Sequence, residues 1–132
     1  MENHENKWNT SKNFDIVGKA KLDSLKERIG EIGEMIKERN TLSGNFIKEG
    51  ETMKTNIKNF LMENAPEGED DSEFTRERSE LRKKQIEISE LQLNEKVNCW
   101  RDIALLKKEM RETLRELNEK KGRADMLGKI LT

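Results

Sequence analysis

The chain has few side chains that could act together as a nucleophile, a general base or a metal ligand. Its only histidine is His4 and its only cysteine is Cys99. A closed zinc site needs four ligands, and a nucleophile needs a base held beside it. We expect His4 to be solvated in a polar segment and Cys99, next to Trp100 in apolar sequence, to be a buried structural thiol. The sequence therefore predicts no catalytic, metal-binding or cofactor-binding residue, and no enzyme.

The stretch RIGEIGEMIKERN, residues 28–40, holds a second candidate for chemistry, since Gly30 and Gly33 are spaced like the GXXG loop of a KH domain. That loop clamps the backbone of RNA. Here the two inner residues are Glu31 and Ile32, which offer no positive charge, and no strand-like run lies nearby. The pattern instead indicates a helix with two glycines, each about 1 kcal/mol less favourable there than alanine.

The composition is typical of long amphipathic helices. Charged residues make up 40% of the chain, and 26 basic residues nearly balance 27 acidic ones. Disorder is associated with a high net charge, which this chain lacks. A single proline and the absence of tyrosine argue against a sheet. With no apolar run of about 18 residues, no secretory signal and an unpaired cysteine, we expect an intracellular protein, cytoplasmic or nuclear, without a membrane span.

The lone proline, Pro66, lies in a segment that carries six acidic residues between positions 63 and 73. The residue before a proline is disfavoured in a helix, so this segment is predicted to be a loop between two arms of similar length. Gly122 is expected to end the second arm. The predicted segments are a polar N-terminal tail (1–13), a first long helix (14–62), an acidic loop (63–73), a second long helix (74–121) and a short apolar C-terminal extension (122–132), which either lengthens the second helix or folds onto the bundle.

The first arm carries a seven-residue apolar repeat, the signature of a coiled-coil seam. The a positions are Leu22, Ile29, Ile36, Ser43, Gly50 and Ile57, and the d positions are Leu25, Ile32, Arg39, Phe46, Met53 and Phe60. Nine of the twelve are apolar. The three exceptions, Arg39, Ser43 and Gly50, lie close together and predict a weakened middle or a close approach of another helix.

The second arm has a less regular apolar stripe. It runs through Phe74, Leu81 and Ile88, then through Leu93, Val97 and Trp100 in a shifted phase, and then through Ile103, Leu106, Met110, Leu114 and Leu117. The stripe widens over residues 99–106, and a wide apolar face contacts more than one helix. The predicted fold is all-α: two long amphipathic helices in an antiparallel coiled-coil hairpin that oligomerises into a helical bundle. The alternative is a parallel dimer.

The predicted function is that of a non-enzymatic coiled-coil scaffold or adaptor subunit, which assembles with itself or with partner helices in a larger complex. The residues expected to bind the protein partner are Trp8, Trp100, Ile103, Leu105, Leu106, Leu127, Ile130 and Leu131.

The alternative function is a nucleic-acid-associated helical protein. Its basic face would consist of Arg76, Arg78, Arg82, Lys83 and Lys84. This alternative is weaker because the chain is slightly acidic overall and the basic run contains no aromatic residue for base stacking.

Overall fold

A computed structural model describes the backbone of residues 2–64 and 72–131 and the side chains of residues 18–64 and 74–130. The described backbone forms two α-helices, α1 (Glu2–Glu63) and α2 (Ser72–Leu131). They pack against each other as a helical hairpin, which confirms the all-α prediction. Most of the predicted acidic loop, at residues 65–71, lies outside the described residues.

Both helices extend beyond the predicted arms. α1 begins at Glu2 rather than near residue 14, so the segment predicted as a polar tail is helical. No proline or glycine precedes Gly18, and nothing in that stretch interrupts helical hydrogen bonding. α2 likewise continues through Gly122 to Leu131. A glycine lowers helix propensity but keeps its N–H and C=O groups, so Gly122 does not end the helix.

The C-terminal end of α1 is held by Asn64. Its backbone N–H and its side-chain Nδ2 both donate hydrogen bonds to the Phe60 carbonyl, at 3.0 Å each. The last carbonyls of a helix have no partner within the helix. Asn64 satisfies one of them just before the segment that contains Pro66.

The chain divides into two compact units, each built from parts of both helices. The central unit is Lys37–Ile103, and the terminal unit combines Met1–Ile36 with Ala104–Thr132. Among the described residues, no helix is long and apolar enough to cross a membrane.

The predicted seam of α1 is correct at its a positions throughout and wrong at its d positions after Arg39. The a positions are buried or half-buried from Leu22 to Ile57. The d positions Phe46, Met53 and Phe60, however, are 42–55% exposed. The half-buried residues there are Ile47, Lys54 and Leu61, one position further along. The face of α1 that packs on α2 therefore rotates toward the e positions after Arg39, which is compatible with the drift of a 3.6-residue helix against a seven-residue repeat.

The predicted stripe of α2 also changes phase at its centre. Phe74, Leu81 and Ile88 are half-buried as predicted, but Leu93, Val97 and Trp100 are exposed. In their place Gln92 and Cys99 are buried and Glu95 is half-buried. Further along, Ile103, Leu106 and Met110 are half-buried, Leu117 is buried, and Leu114 is exposed against the prediction.

Candidate interaction site

Polar side chains connect the two helices at regular intervals in the central unit. Arg78 Nη1 donates to the Leu61 carbonyl at 3.4 Å, Gln85 Nε2 to the Lys54 carbonyl at 3.3 Å, and Gln92 Nε2 to the Ile47 carbonyl at 2.9 Å. Cys99 Sγ lies 3.9 Å from Asn40 Oδ1. We call these four α2 residues the polar ladder.

The polar ladder has the period of a coiled coil. Its members, Arg78, Gln85, Gln92 and Cys99, follow one another at intervals of seven residues, and their contacts on α1 recede by seven residues at each step. A carbonyl oxygen has two lone pairs, so it can accept a side-chain donor besides the helical N–H. Arg78, Gln85 and Gln92 use main-chain acceptors, which place no requirement on the α1 side chain other than room for the donor, whereas Cys99 faces the side-chain oxygen of Asn40.

Gly50 provides that room at Gln92. A Cβ at position 50 would lie 2.5 Å from Gln92 Nε2 and 3.0 Å from its Cδ. The Gln92 side chain is 5% exposed and also donates to Glu51 Oε1 at 3.2 Å. Among the described side chains, no buried nitrogen or oxygen lacks a hydrogen-bond partner. Gly50 therefore leaves the space that the Gln92 side chain fills, which agrees with the second of the two predicted alternatives, a close approach of another helix.

Arg39 joins the two helices through ion pairs. Its guanidinium donates to Glu95 and, through Nε, to Asp102 at 2.9 Å. Hydrogen bonds to Asp102 and then to Glu95 raise the pKa of Arg39 well above its ordinary value. The predicted seam position Arg39 thus contacts two carboxylates of α2 at once, which the several N–H donors of the planar guanidinium allow.

Glu51 lies beside the Gln92 contact. Lys54 Nζ, at 2.8 Å from Glu51 Oε1, and the Gln92 amide both hold the pKa of Glu51 below its ordinary value, with Lys54 the larger cause. A carboxylate whose pKa is lowered by folding stabilises the fold above its ordinary pKa, and this contribution is lost as the pH falls through the lowered value.

The terminal unit has a more conventional core. Ile32 is fully buried there and Leu117 is nearly so. Arg28 Nε donates to Glu109 Oε1 at 2.8 Å, which ties α1 to α2 beside this core. A Cβ on Gly33 would meet Met110 Cε at an ordinary 3.9 Å, and one on Gly30 would meet nothing. The GXXG spacing is therefore part of a helix, as predicted, and neither glycine is required by packing.

Two apolar stripes remain exposed in the central unit. The α1 stripe consists of Leu42, Phe46, Met53 and Phe60, and the α2 stripe consists of Ile86, Leu93, Val97 and Trp100; all eight are at least 42% exposed. Both follow the spacings of three, four and seven residues that place side chains on one face of a helix. Contiguous exposed apolar surface of this kind commonly marks an interaction site.

The residues predicted to bind a partner differ in exposure. Trp100 is 72% exposed, and Leu105, Leu127 and Ile130 are also exposed. Ile103 and Leu106 are half-buried, which removes part of their surface from any partner. The side chains of Trp8 and Leu131 lie outside the described residues.

The basic run of the alternative function is partly engaged within the chain. Arg78 points to α1, where it donates to the Leu61 carbonyl, and its guanidinium also lies 5.7 Å from the centre of the Phe74 ring. Arg76 pairs with Glu80 at 3.6 Å. Arg82, Lys83 and Lys84 are exposed. The five residues therefore do not form one continuous basic face.

The polar ladder and the α1 stripe were absent from the sequence-based predictions. The seven-residue spacing of Gln85, Gln92 and Cys99 could have indicated that these residues face α1. Apolar periodicity alone, however, favours Leu93 and Trp100 as the buried positions. Nothing in the sequence marks Ile47 or Lys54 as acceptors, because every residue carries the same carbonyl group.

Burial of Cys99 gives a direct measure of helix pairing. We expect its thiol, which is 5% exposed, to react with an aromatic disulfide reagent at least about 100-fold more slowly in the folded chain than in urea, because reaction requires the helices to open locally. A Lys84→Cys, Cys99→Ser variant provides the exposed control, since Lys84 is exposed and lies outside both apolar stripes, and its thiol should react rapidly when the chain is folded. Equal rates for the two folded proteins would contradict the burial of Cys99 between the helices.

Within the described part of the chain, no group of three or more histidine, cysteine, aspartate and glutamate side chains is placed to hold a metal ion. Comparison of the chain with protein-family models, with curated proteins and with solved structures found no match.

Proposed function

We propose that the protein is a non-enzymatic scaffold or adaptor subunit of an intracellular complex, which assembles with itself or with partner helices through its exposed apolar stripes. One observation carries the proposal: about half of the described large apolar side chains stay exposed on the hairpin. Sixteen of them, Trp100 among them, are exposed, whereas the apolar side chains between the helices are mostly half-buried and few are fully buried. Such a surface is what a subunit presents to another chain.

The hairpin that presents these stripes is, in this proposal, an antiparallel coiled coil. The polar ladder supports this arrangement, since its α1 contacts recede in number from Leu61 to Asn40 as the α2 residues advance from Arg78 to Cys99. The hydrogen bonds satisfy the polar groups between the helices, and the apolar residues of the two stripes stay available at the surface.

Burial of the stripes supplies the energy for assembly. Each large apolar side chain removed from water stabilises a complex by about 1.5–3 kcal/mol before the entropic costs of association are subtracted. Tryptophan is among the residues that contribute most at interfaces when it is fully desolvated. Trp100, at 72% exposure, has most of its surface still to bury.

The test compares the native mass of the tagged chain in the cells that produce it with that of a Leu93→Gln, Trp100→Gln variant. We expect the wild-type chain to migrate at a native mass well above the 15.5 kDa of a single chain. The variant should be absent from that assembly and migrate at a lower mass. Both positions are exposed, so the variant should keep its helical circular dichroism. If the wild type and the variant both migrate at the mass of one chain, the proposed function is wrong.

A further inference from the structure

The α1 stripe is bordered by acidic side chains. On a helix, the neighbours of a residue lie three and four positions away. For Leu42, Phe46, Met53 and Phe60 the charged neighbours exposed at these spacings are Glu38, Glu49 and Glu63. Arg39, also within this spacing, is occupied by Glu95 and Asp102. Lys48 borders the shallow groove beside Met53. Its one positive charge does not outweigh the three glutamates, so this edge is acidic overall.

The α2 stripe has the opposite charge at its edges. By the same spacing, the exposed charged neighbours of Ile86, Leu93, Val97 and Trp100 are Arg82, Lys83, Lys96, Arg101 and Glu90. Four of these are basic and one is acidic. A shallow groove lined by Arg82, Ile86, Glu90 and Leu93 runs along the first half of this stripe, with one basic and one acidic side chain beside its apolar surface.

We propose that the occupant of the α2 stripe is the α1 stripe of a second copy of this chain. This inference rests on the proposed function and names its partner. The two stripes share heptad spacing and have comparable lengths, about 27 Å for residues 42–60 and about 21 Å for residues 86–100 at 1.5 Å per residue. Their apolar residues bury one another, and their acidic and basic edges meet.

The charges also select this pairing over the two symmetric ones. A contact between two α1 stripes would bring acidic edges together, and a contact between two α2 stripes would bring basic edges together. Like charges at an interface suppress association, whereas opposite charges accelerate it. When two different surfaces pair, each chain can use both of its stripes in a closed dimer or ring. Otherwise one stripe stays free at each end of the assembly, and further chains can add to it.

The test is a complementation experiment with purified full-length chains. One variant loses the α1 stripe (Phe46→Gln, Met53→Gln) and the other loses the α2 stripe (Leu93→Gln, Trp100→Gln). All four positions are exposed, so both variants should retain the helical content and thermal transition of the wild type. Sedimentation velocity over a range of concentrations then gives the mass of each variant alone and of the mixture.

We expect the wild type to self-associate, each variant alone to sediment as a 15.5 kDa monomer, and an equimolar mixture to form a heterodimer. The dissociation constant of the heterodimer should rise at least tenfold when Glu49→Lys is added to the variant that keeps its α1 stripe. The charge control is Lys58→Glu, which lies outside the edge and should leave the affinity nearly unchanged or slightly improved.

Three outcomes overturn the inference. If the variant that lacks the α1 stripe self-associates, two α2 stripes pair with each other. If the variant that lacks the α2 stripe self-associates, two α1 stripes pair with each other. A wild-type chain that stays monomeric when purified, yet joins a stripe-dependent assembly in cells, would show that a different protein covers the stripes. In that last case the proposed function stands and only the second-copy partner is wrong.

Discussion

Replacement of Ile32 by aspartate is expected to unfold the terminal unit at neutral pH. Ile32 is 0% exposed, and its loss removes about 1.5–3 kcal/mol of burial. The introduced carboxylate adds a desolvation cost of several kcal/mol when no partner is present. The sum approaches the 5–15 kcal/mol that stabilises a typical domain. Circular dichroism during urea unfolding measures the effect, and Ile32→Ala should cost a smaller amount, about 2–5 kcal/mol.

The matched control is Leu42→Asp, an identical change of charge on the same helix at a side chain that is 65% exposed. It should alter the free energy of unfolding of the isolated chain by less than about 0.5 kcal/mol, as is usual for surface changes. Its effect should appear in self-association instead, because Leu42 belongs to the α1 stripe. Equal loss of stability for Ile32→Asp and Leu42→Asp would contradict the observed burial.

Gly50→Ala is expected to destabilise the hairpin by about 1–2 kcal/mol, although alanine is the better helix former by about 1 kcal/mol. The new methyl group would stand 2.5 Å from Gln92 Nε2 and 3.1 Å from its Cγ, so the whole side chain has to leave its position. It then loses its hydrogen bonds to Ile47 and Glu51, each worth about 1 kcal/mol. Urea midpoints at constant unfolding slope give the change in stability.

Gly44→Ala is the control for this substitution. A Cβ at position 44 meets nothing within 4 Å, so the change should stabilise the chain by up to about 1 kcal/mol. A double-mutant cycle adds a sharper test, since Gly50→Ala should become stabilising once Gln92→Ala has removed the clash. If Gly50→Ala stabilises the chain that still carries Gln92, then Gly50 is not the hole for that side chain.

Several features of the fold were predictable from sequence for simple physical reasons. Apolar residues at intervals of three and four, with balanced charge between them, are favourable only on a helix. The lone Pro66 among acidic residues interrupts that pattern once, and the described helices end at Glu63 and begin again at Ser72. The ends of the helices were less predictable, because Gly122 weakens a helix without preventing it.

The candidate site was predictable only in part. Exposed Trp100 and Leu105 belong to the predicted contact residues, and their large apolar side chains were the signal. The same reasoning placed Phe46, Met53 and Phe60 between the two helices of one chain, and this was wrong. Apolar periodicity identifies a face that avoids water, but it does not state whether the same chain or another one covers that face.

By itself, the sequence determined that this protein is a pair of long helices with heptad-spaced apolar residues, because periodicity and charge balance act locally along the chain. Only the tertiary structure decided which face of each helix lies inside. Gln92 is acceptable there because Gly50 leaves space and the Ile47 carbonyl lies 2.9 Å away. Both conditions depend on residues more than forty positions away in sequence. Which residues of each helix face the other helix is therefore decided only when the two helices pack together.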